Sequence, residues 1–449
     1  MKVVKFGGTS LATAEQIIKV CDIVMSDPER RLVVVSAPGK RFNDDIKVTD
    51  LLIRLAEKHI RNEASEKELG NVIDRYREIA DDLNIGSDII KSIIEDLKQR
   101  LSMGIANKGK FTDSLKAAGE DNCAKLVAVY LRSKGFEAHY INPGEVGLLL
   151  SDEYGNARVL PEAYDNLKSL KNMSGILVFP GFFGYSLDGD VVTFPRGGSD
   201  ITGSILAAAV EAEVYENYTD VDSVFAANPR IIPDACPISV LTYREMRELS
   251  YAGFSVLHEE TLEPVYRTGI PVCIKNTNNP KAPGTMIVPD RKTRNGPVVG
   301  IASDKGFCSI YVSKYMMNRE IGFGRKLLNI LEDEGISYEH TPSGIDNISI
   351  LFKEKQMNDQ VKSIIIGRVK DELGVDDVSI ESDIALVMIV GEGMLHAVGI
   401  AARATNALAN ADVNIVMINQ GSSEVSMMFG VKVEDEVEAV RALYKEFFK

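Results

Sequence analysis

Lys2-Val3-Val4-Lys5-Phe6-Gly7-Gly8-Thr9-Ser10 opens the chain as a short apolar strand that breaks at two glycines and passes into helical periodicity, with Ile17, Cys21, Val24 and Met25 on one face. A second apolar run, Leu32-Val33-Val34-Val35, follows at once. The same alternation continues to about residue 290 and predicts a mainly parallel α/β sheet. At the end of the first strand the paired glycines leave backbone N–H groups able to curl toward an anion at a helix N-terminus. The order of residues matches neither GxxxxGK[ST] nor GxGxxG, because the lysine precedes the glycines and sits on the strand. Two readings stay open from these residues: a phosphate-binding turn, or a tight strand-to-helix turn with a surface lysine.

Three further glycine-rich turns have the same setting: Ser36-Ala37-Pro38-Gly39, Pro180-Gly181-Phe182-Phe183-Gly184 and Arg196-Gly197-Gly198-Ser199-Asp200. Each follows an expected strand, the last two at 176–179 and 191–194. Ligands of open parallel sheets sit at the carboxyl ends of the strands, so the four turns are expected to converge on one crevice. Arg196 and Asp200 offer a guanidinium, bare backbone donors, a hydroxyl and a carboxylate within five residues; the alternative is a surface ion pair beside a flexible turn. Strands are also expected at 137–141, 214–218 and 272–275. The run at 214–218 leads to Tyr218-Thr219-Asp220 and then Asn228-Pro229-Arg230. Residues 47–134 are helical throughout and read as an insertion or lid. No Ser/His/Asp or Cys/His arrangement and no glycosidase carboxylate pair stands out, and phosphoryl transfer needs none of them, since placed cations and dipoles stabilise the moving charge.

Beyond Pro289 the pattern changes to a tandem repeat. Expected strand 309–312, helix 326–333, strands 336–339 and 348–352, helix 361–372 and strand 378–381 are followed by strand 386–390, helix 397–409, strands 413–418 and 425–431 and helix 437–447. The second copy lacks a final strand, and Val298-Val299-Gly300-Ile301 is the free segment that could complete it, which would insert the first copy into the second.

The chain has 449 residues, 45% of them hydrophobic and 26% charged, which is ordinary globular usage. Lys and Arg number 51 against 65 Asp and Glu, a net charge of −14 that argues against nucleic acid and anionic membranes as partners. The longest apolar run, 384–390, is far short of a membrane span, and the N-terminus carries no secretion pattern. Five scattered cysteines and five scattered histidines show no metal spacing, and a cytoplasmic location is expected.

Taken together, Lys5-Phe6-Gly7-Gly8-Thr9-Ser10, Ala118-Gly119-Glu120, Gly181-Phe182, Arg196-Gly197-Gly198-Ser199-Asp200 and Tyr218-Thr219-Asp220 resemble the aspartate kinases, over nearly the whole chain. The C-terminal repeats, including Asn419-Gln420-Gly421-Ser422-Ser423-Glu424, are similar to a pair of ACT modules. The resemblance implies a three-layer αβα amino acid kinase domain at 1–290, a linker and strand at 291–307, and ferredoxin-like ACT modules at 308–382 and 383–449. It implies transfer of the γ-phosphoryl group of Mg-ATP to the β-carboxylate of L-aspartate. Lys5 and Asp200 are the implied catalytic pair. Ser36, Thr49, Glu120, Phe182, Arg196, Gly197, Gly198 and Ser199 are implied to hold aspartate, with Arg196 on the α-carboxylate and Glu120 on the ammonium group.

Lys5, Gly7, Gly8, Ser10, Thr219, Asp220, Phe225, Arg230 and Ser255 are implied to face ATP; the metal ligands stay unassigned. Three residues depart from the family pattern on that side: Phe225 stands where tyrosine is frequent, Asn228 where aspartate is usual, and Ser255 where a lysine is common. The ACT pair implies feedback by lysine or threonine, lysine being favoured, near Met317, Gly322, Phe323, Gly324, Glu339, Ser343 and Asp346, and a homodimer or homotetramer. The rivals are a kinase acting on glutamate or N-acetylglutamate, and an amino-acid sensor with a decayed nucleotide site.

Overall fold

The computed structural model describes residues 1–449 except 255, 258, 292–295, 396 and 422–424. It forms two compact units, one of Met1–Val224, Pro237–Arg247 and Ser255–Arg291, the other of Phe225–Cys236, Glu248–Phe254 and Lys292–Lys449.

The first unit is built on an eight-stranded sheet. From one edge the strands are Val240–Thr242, Thr285–Val288, Val272–Asn276, Tyr215–Thr219, Lys2–Phe6, Arg30–Val35, Ile176–Pro180 and Ala138–Tyr140. Every neighbouring pair is parallel except Val272–Asn276 with Thr285–Val288. The first strand is central, with the chain winding to one side through Arg30–Val35 and to the other through Tyr215–Thr219. That is the topological switch point at which doubly wound sheets open a crevice.

Strand alternation decides what each side of that strand does. Val4 and Phe6 join a core with Ile17, Val20 and Val24 of helix Ala14–Met25 and with Leu115, Ala118 and Val127 of helix Lys108–Ser133. Val3 and Lys5 therefore point to the opposite face, where helix Gly198–Ala209 lies. Helix Ala14–Met25 starts on a Thr13 side-chain cap, with the hydroxyl accepting the Gln16 N–H at 3.3 Å.

Helices Val48–Ile60, Glu66–Leu83 and Asp88–Leu101 pack Leu52, Leu55, Val72, Tyr76, Ile93 and Leu97 into the same core. The segment expected as an insertion or lid packs its apolar stripes into the core of the first unit. The expected strand at 191–194 forms as Val191–Thr193 but in a different sheet. Val191–Thr193 pairs antiparallel with Phe183–Tyr185 in a separate hairpin and takes no place in the large sheet. The turn Ser186 to Asp190 closes that hairpin and leaves Val191–Thr193 no parallel neighbour.

The second unit holds a five-stranded antiparallel sheet in the order Asn347–Lys353, Gly300–Ser313, Asp377–Val390, Ser426–Lys432, Met417–Asn419. Its two central strands are each 14 residues long and serve both repeats. Residues 300–304 pair with 386–390, while 307–313 pair with both 377–384 and 347–353. The register slips between Asp304 and Phe307, beside Gly306 at φ +76°. Helices Phe323–Asp333 and Asp359–Leu373 cover the first repeat, and Ile400–Asn410 and Glu436–Phe448 belong to the second.

The strand expected at 336–339 is absent. The chain there runs as a looser edge, with bridges at His340 to Leu351 and Ser343 to Ile348, because Pro342 and Gly344 interrupt regular pairing. The strand expected at 413–418 shortens to Met417–Asn419. Among the described residues no helix is long and apolar enough to cross a membrane. All five cysteines are free thiols.

Candidate active site

Backbone bonds stitch the strand ends into one crevice. Gly7 N–H donates to Tyr218 O at 3.2 Å, Ser36 N–H to Phe6 O at 3.2 Å, Gly39 N–H to Gly8 O at 2.8 Å, and Gly181 N–H to Val35 O at 2.9 Å. The close approach demands glycine at Gly39. A Cβ there would lie 2.5 Å from the Gly8 carbonyl carbon and 2.7 Å from the Thr9 nitrogen, both backbone atoms that cannot step aside. Arg75, which the sequence did not single out, fixes the turn from below. Its buried guanidinium donates to Gly39 O at 2.8 Å, Ile46 O at 3.2 Å and the Asp45 carboxylate at 2.7 Å.

Lys5 reaches across the sheet face to Asp200 in the first turn of helix Gly198–Ala209, and both members of the ion pair are largely enclosed. Asp200 also accepts from Asn217 Nδ2 at 2.7 Å, and its carbonyl accepts from the Tyr215 hydroxyl at 3.1 Å. The aspartate is thereby fixed at side chain and backbone, and it in turn fixes the ammonium. A Cβ on Gly7 would stand 3.6 Å from Lys5 Nζ, so the cation lies beside a bare turn. Asn217 and Tyr215 were missed in the sequence. The available signal was a polar residue at the inward position of an otherwise buried strand, Tyr215–Thr219.

Glu120 is fully enclosed on helix Lys108–Ser133, beside Ala37 of the second glycine turn. It accepts from backbone N–H, yet Oε2 has no partner among the described residues, and burial pushes its carboxyl up to about 8. A carboxylate kept out of water without a cation is a site for one brought by a ligand. Gly181 packs against Ser199, and Phe182 holds a left-handed backbone at φ +76°, its N–H donating to Thr202 Oγ1 at 3.0 Å. Such strain persists where the surroundings impose it, which is common at ligand sites. Gly197 caps the helix at φ +86°. Arg196, just before it, is exposed and makes no ion pair among the described residues. Thr49 stands in the first turn of a helix whose Val48 N–H donates to Pro38 O at 3.1 Å. Ser10 and Thr277 share a hydroxyl bond at 2.7 Å, and Thr219 Oγ1 donates to Asp220 at 3.1 Å.

The first unit thus brings together Lys5, Gly7, Gly8, Ser10, Ser36, Glu120, Phe182, Gly197, Gly198, Ser199, Asp200 and Thr219. Phe225 and Arg230 belong to the second unit, and Ser255 lies outside the described residues. Asn228 Oδ1 accepts the Arg230 N–H at 3.0 Å, a turn-forming bond that asparagine makes as well as aspartate does. Bare glycine turns beside a buried lysine suit the phosphates of a nucleotide. No group of three or more His, Cys, Asp or Glu side chains that could hold a metal ion occurs among the described residues.

The effector residues named from the sequence lie in the second unit. Met317 and Phe323 are buried, Gly322 caps helix Phe323–Asp333 at φ +78°, and Gly324 follows. Ser343 is exposed, and Asp346 Oδ1 is buried without a partner among the described residues. Glu339 accepts from the Tyr251 hydroxyl at 2.6 Å; His340 Nε2 lies 3.2 Å from that hydroxyl, and Asn419 Nδ2 donates to His340 Nδ1 at 3.2 Å. Of Asn419 to Glu424, residues 422–424 lie outside the described residues.

Residues 1–276 match the model of the amino acid kinase family, and residues 387–447 match an ACT domain model. Aspartokinase 3 of Bacillus subtilis (strain 168) is 57% identical over 448 residues, covering 100% of this chain and 99% of that protein. The crystal structure of Clostridium acetobutylicum aspartate kinase is 39% identical with a TM-score of 0.90, covering 100% of both chains. Two structures of E. coli aspartokinase III also cover 100% of both chains. One, with aspartate and ADP, is 27% identical with a TM-score of 0.80; the other, with lysine and aspartate, is 26% identical with a TM-score of 0.79.

Proposed function

The chain belongs to the amino acid kinase family and is an aspartate kinase, and from that premise we propose that it transfers the γ-phosphoryl group of Mg-ATP to the β-carboxylate of L-aspartate. The product is 4-phospho-L-aspartate, the first intermediate toward lysine, threonine and methionine. The observation that carries this reading is the buried Lys5–Asp200–Asn217 cluster beside the bare Gly7-Gly8 turn.

The attacking carboxylate, with an ordinary pKa of about 3.9, is already ionised at neutral pH, so no general base is needed. The chemical difficulty is to hold two anions in line and offset the charge that builds between them. Lys5 offers a desolvated ammonium to the transferring oxygens, with Asp200 and Asn217 holding its direction. Asp200 is a positioning group in this scheme. Gly7, Gly8 and Ser10 give backbone and hydroxyl donors to the phosphates, with Thr219, Asp220, Phe225, Arg230 and Ser255 on the nucleotide side. Arg196 grips the α-carboxylate bidentately, and Glu120 takes the ammonium group, gaining the cation its burial lacks. Ser36, Thr49, Phe182 and the backbone of Gly197, Gly198 and Ser199 line the remainder. Magnesium bound with the nucleotide would supply further charge neutralisation at the phosphates.

Lysine is the proposed feedback effector, with threonine the competitor, bound near Met317, Gly322, Phe323, Gly324, Glu339, Ser343 and Asp346. Support comes from the Asp346 carboxylate oxygen buried without a partner among the described residues, and from the lysine bound in the E. coli enzyme. Assembly as a homodimer or homotetramer through the ACT modules, in the cytoplasm, completes the reading. The test is ADP release from Mg-ATP with aspartate, glutamate or N-acetylglutamate, each with and without lysine and threonine. Activity on aspartate alone, suppressed by lysine, is the expected result. Release with glutamate, or none with any acceptor, would overturn it.

A further inference from the structure

The two charged groups named for aspartate come from different elements of the first unit: Glu120 from helix Lys108–Ser133, and Arg196 from the turn that follows strand Val191–Thr193. A small amino acid gripped at both its ammonium group and its α-carboxylate demands a fixed span between the two grips. Asp113 lies on the same helix as Glu120 and seven residues before it, so the two carboxylates leave one face of the helix two turns apart.

Asp113 is only 1% exposed. Its Oδ2 accepts the Thr193 N–H at 2.8 Å and the Gly155 N–H at 2.7 Å, while Lys116 Nζ donates to Oδ1 at 3.2 Å. Thr193 is held on its other side as well, because its carbonyl accepts the Ala157 N–H at 3.1 Å. One residue further on, the Phe194 N–H donates to Phe182 O at 2.9 Å, and the Phe194 side chain is buried. A Cβ on Gly198 would lie 2.8 Å from Phe194 Cβ and 2.7 Å from Phe182 Cδ2, so the start of helix Gly198–Ala209 sits against the same strand end. Arg196 is therefore an exposed side chain on a backbone fixed just before and just after it. Tyr154 and Lys110 also join this region to the hairpin, both through Asp190, the tyrosine hydroxyl donating at 3.0 Å. The Lys110–Asp190 pair is open to water and contributes little, whereas the Asp113 bonds are charge-assisted and shielded.

We propose that Asp113 is a positioning residue for the aspartate substrate: by holding the Thr193 amide to the helix that carries Glu120, it fixes the span between the Arg196 grip on the α-carboxylate and the Glu120 grip on the ammonium group. The proposal rests on the reading of Arg196 and Glu120 as aspartate contacts. It acts on one substrate, since Lys5 and the Gly7-Gly8 turn are held by other partners, Asp200, Tyr218 and Gly39.

The experiment is steady-state kinetics on full-length Asp113→Ala, Arg196→Ala and the double variant, with Asp113→Asn and Lys116→Ala alongside. Asp113→Ala should raise the KM for aspartate about three- to tenfold, the scale of one or two lost hydrogen bonds, with the KM for ATP within about twofold of the parent. In the Arg196→Ala background the same substitution should add less than about twofold, because a residue that acts through Arg196 has nothing left to act on. Asp113→Asn keeps an oxygen for both N–H groups and should stay within about twofold of the parent. Lys116→Ala removes only the partly exposed ion pair and should match the parent. If Asp113→Ala does not fold, Asp113→Glu carries the same test: it keeps both acceptors but moves them by one methylene, so it should raise the aspartate KM selectively and add nothing in the Arg196→Ala background. An unchanged aspartate KM, an equal rise in both substrate KM values, full additivity with Arg196→Ala, or an Asp113→Asn variant as impaired as Asp113→Ala overturns the proposal. If Arg196→Ala by itself still raises the aspartate KM, the substrate reading survives alone; if it leaves that KM unchanged, the reading and the proposal fall together.

Discussion

Glu120 makes two opposite demands on pH. Its carboxyl is raised to about 8 by burial, so in the empty site at neutral pH it is mostly protonated, while an ammonium ligand requires it ionised. The KM for aspartate should therefore fall as pH rises from about 6 and level off above about 8, with no matching trend in the KM for ATP. Stability runs the other way. A group whose folded pKa is raised favours the fold fully below its unfolded value, near 4.5, and that advantage is lost as pH climbs through 8. Glu120→Gln removes the titration; it should melt higher than the parent at pH 8.5 by more than about 1 kcal/mol equivalent, with the gap closing toward pH 5, and it should flatten the aspartate pH profile. A melting gap that grows toward acid pH would refute the assignment. Arg196, exposed and without an ion pair among the described residues, costs nothing in the fold to remove. Arg196→Ala should raise the aspartate KM at least about tenfold with melting unchanged, because a charge-assisted bond to the ligand is the only bond lost.

Turns and helix starts bear the next set of constraints. The Gly8 and Gly39 turns touch backbone to backbone, so Gly39→Ala must open one of them. The expected outcome is a loss of about 1–3 kcal/mol in thermal or denaturant unfolding together with at least about a tenfold loss in kcat/KM for ATP; parent-like values in both would show that the turns can separate. Helix Gly198–Ala209 is tied to strand Tyr215–Thr219 through Asp200, Asn217 and Tyr215. Asn217→Leu keeps the volume and removes the amide, so it should lower kcat while leaving the aspartate KM near the parent value, read in the same assay. Local patterning revealed these helices and turns well: Leu51, Leu52 and Leu55, then Val72 and Tyr76, then Ile89, Ile90, Ile93 and Leu97 all lie on the faces their spacing predicts. It failed at 336–339, where apolar residues suited to a strand find an interrupted edge, and at 191–194 it found the strand but not its antiparallel hairpin partner. Propensity states that a segment extends; it does not choose the neighbour.

Across both units the notable arrangement is the division of the chain. Residues 225–236 and 248–254 sit in the middle of the kinase sequence but fold with the regulatory sheet, held by Ile301, Tyr444 and a Ser426 hydroxyl bond to Glu248 at 2.8 Å. Glu339, proposed above for the effector, accepts a hydrogen bond from the Tyr251 hydroxyl. An effector ammonium that engages Glu339 competes for the same oxygen. Hydrogen exchange followed by mass spectrometry should therefore respond to lysine at peptides covering 225–236 and 248–254 as well as at 314–346. A response confined to 314–346 would show that the two shared segments do not take part.

The sequence alone determined the mainly parallel sheet, the glycine turns and the tandem C-terminal repeat, since periodicity and turn chemistry are local and leave their mark residue by residue; Lys5, Glu120, Arg196 and Asp200 were singled out by the resemblance to aspartate kinases. It left open what Asn217, Arg75 and Tyr444 do, the lack of a counter-ion at Glu120 among the described residues, and the transfer of two kinase-region segments to the second unit. Those follow from partners 17 to 208 residues away and from exclusion of water, and neither is encoded in the steric preferences of a short stretch of chain.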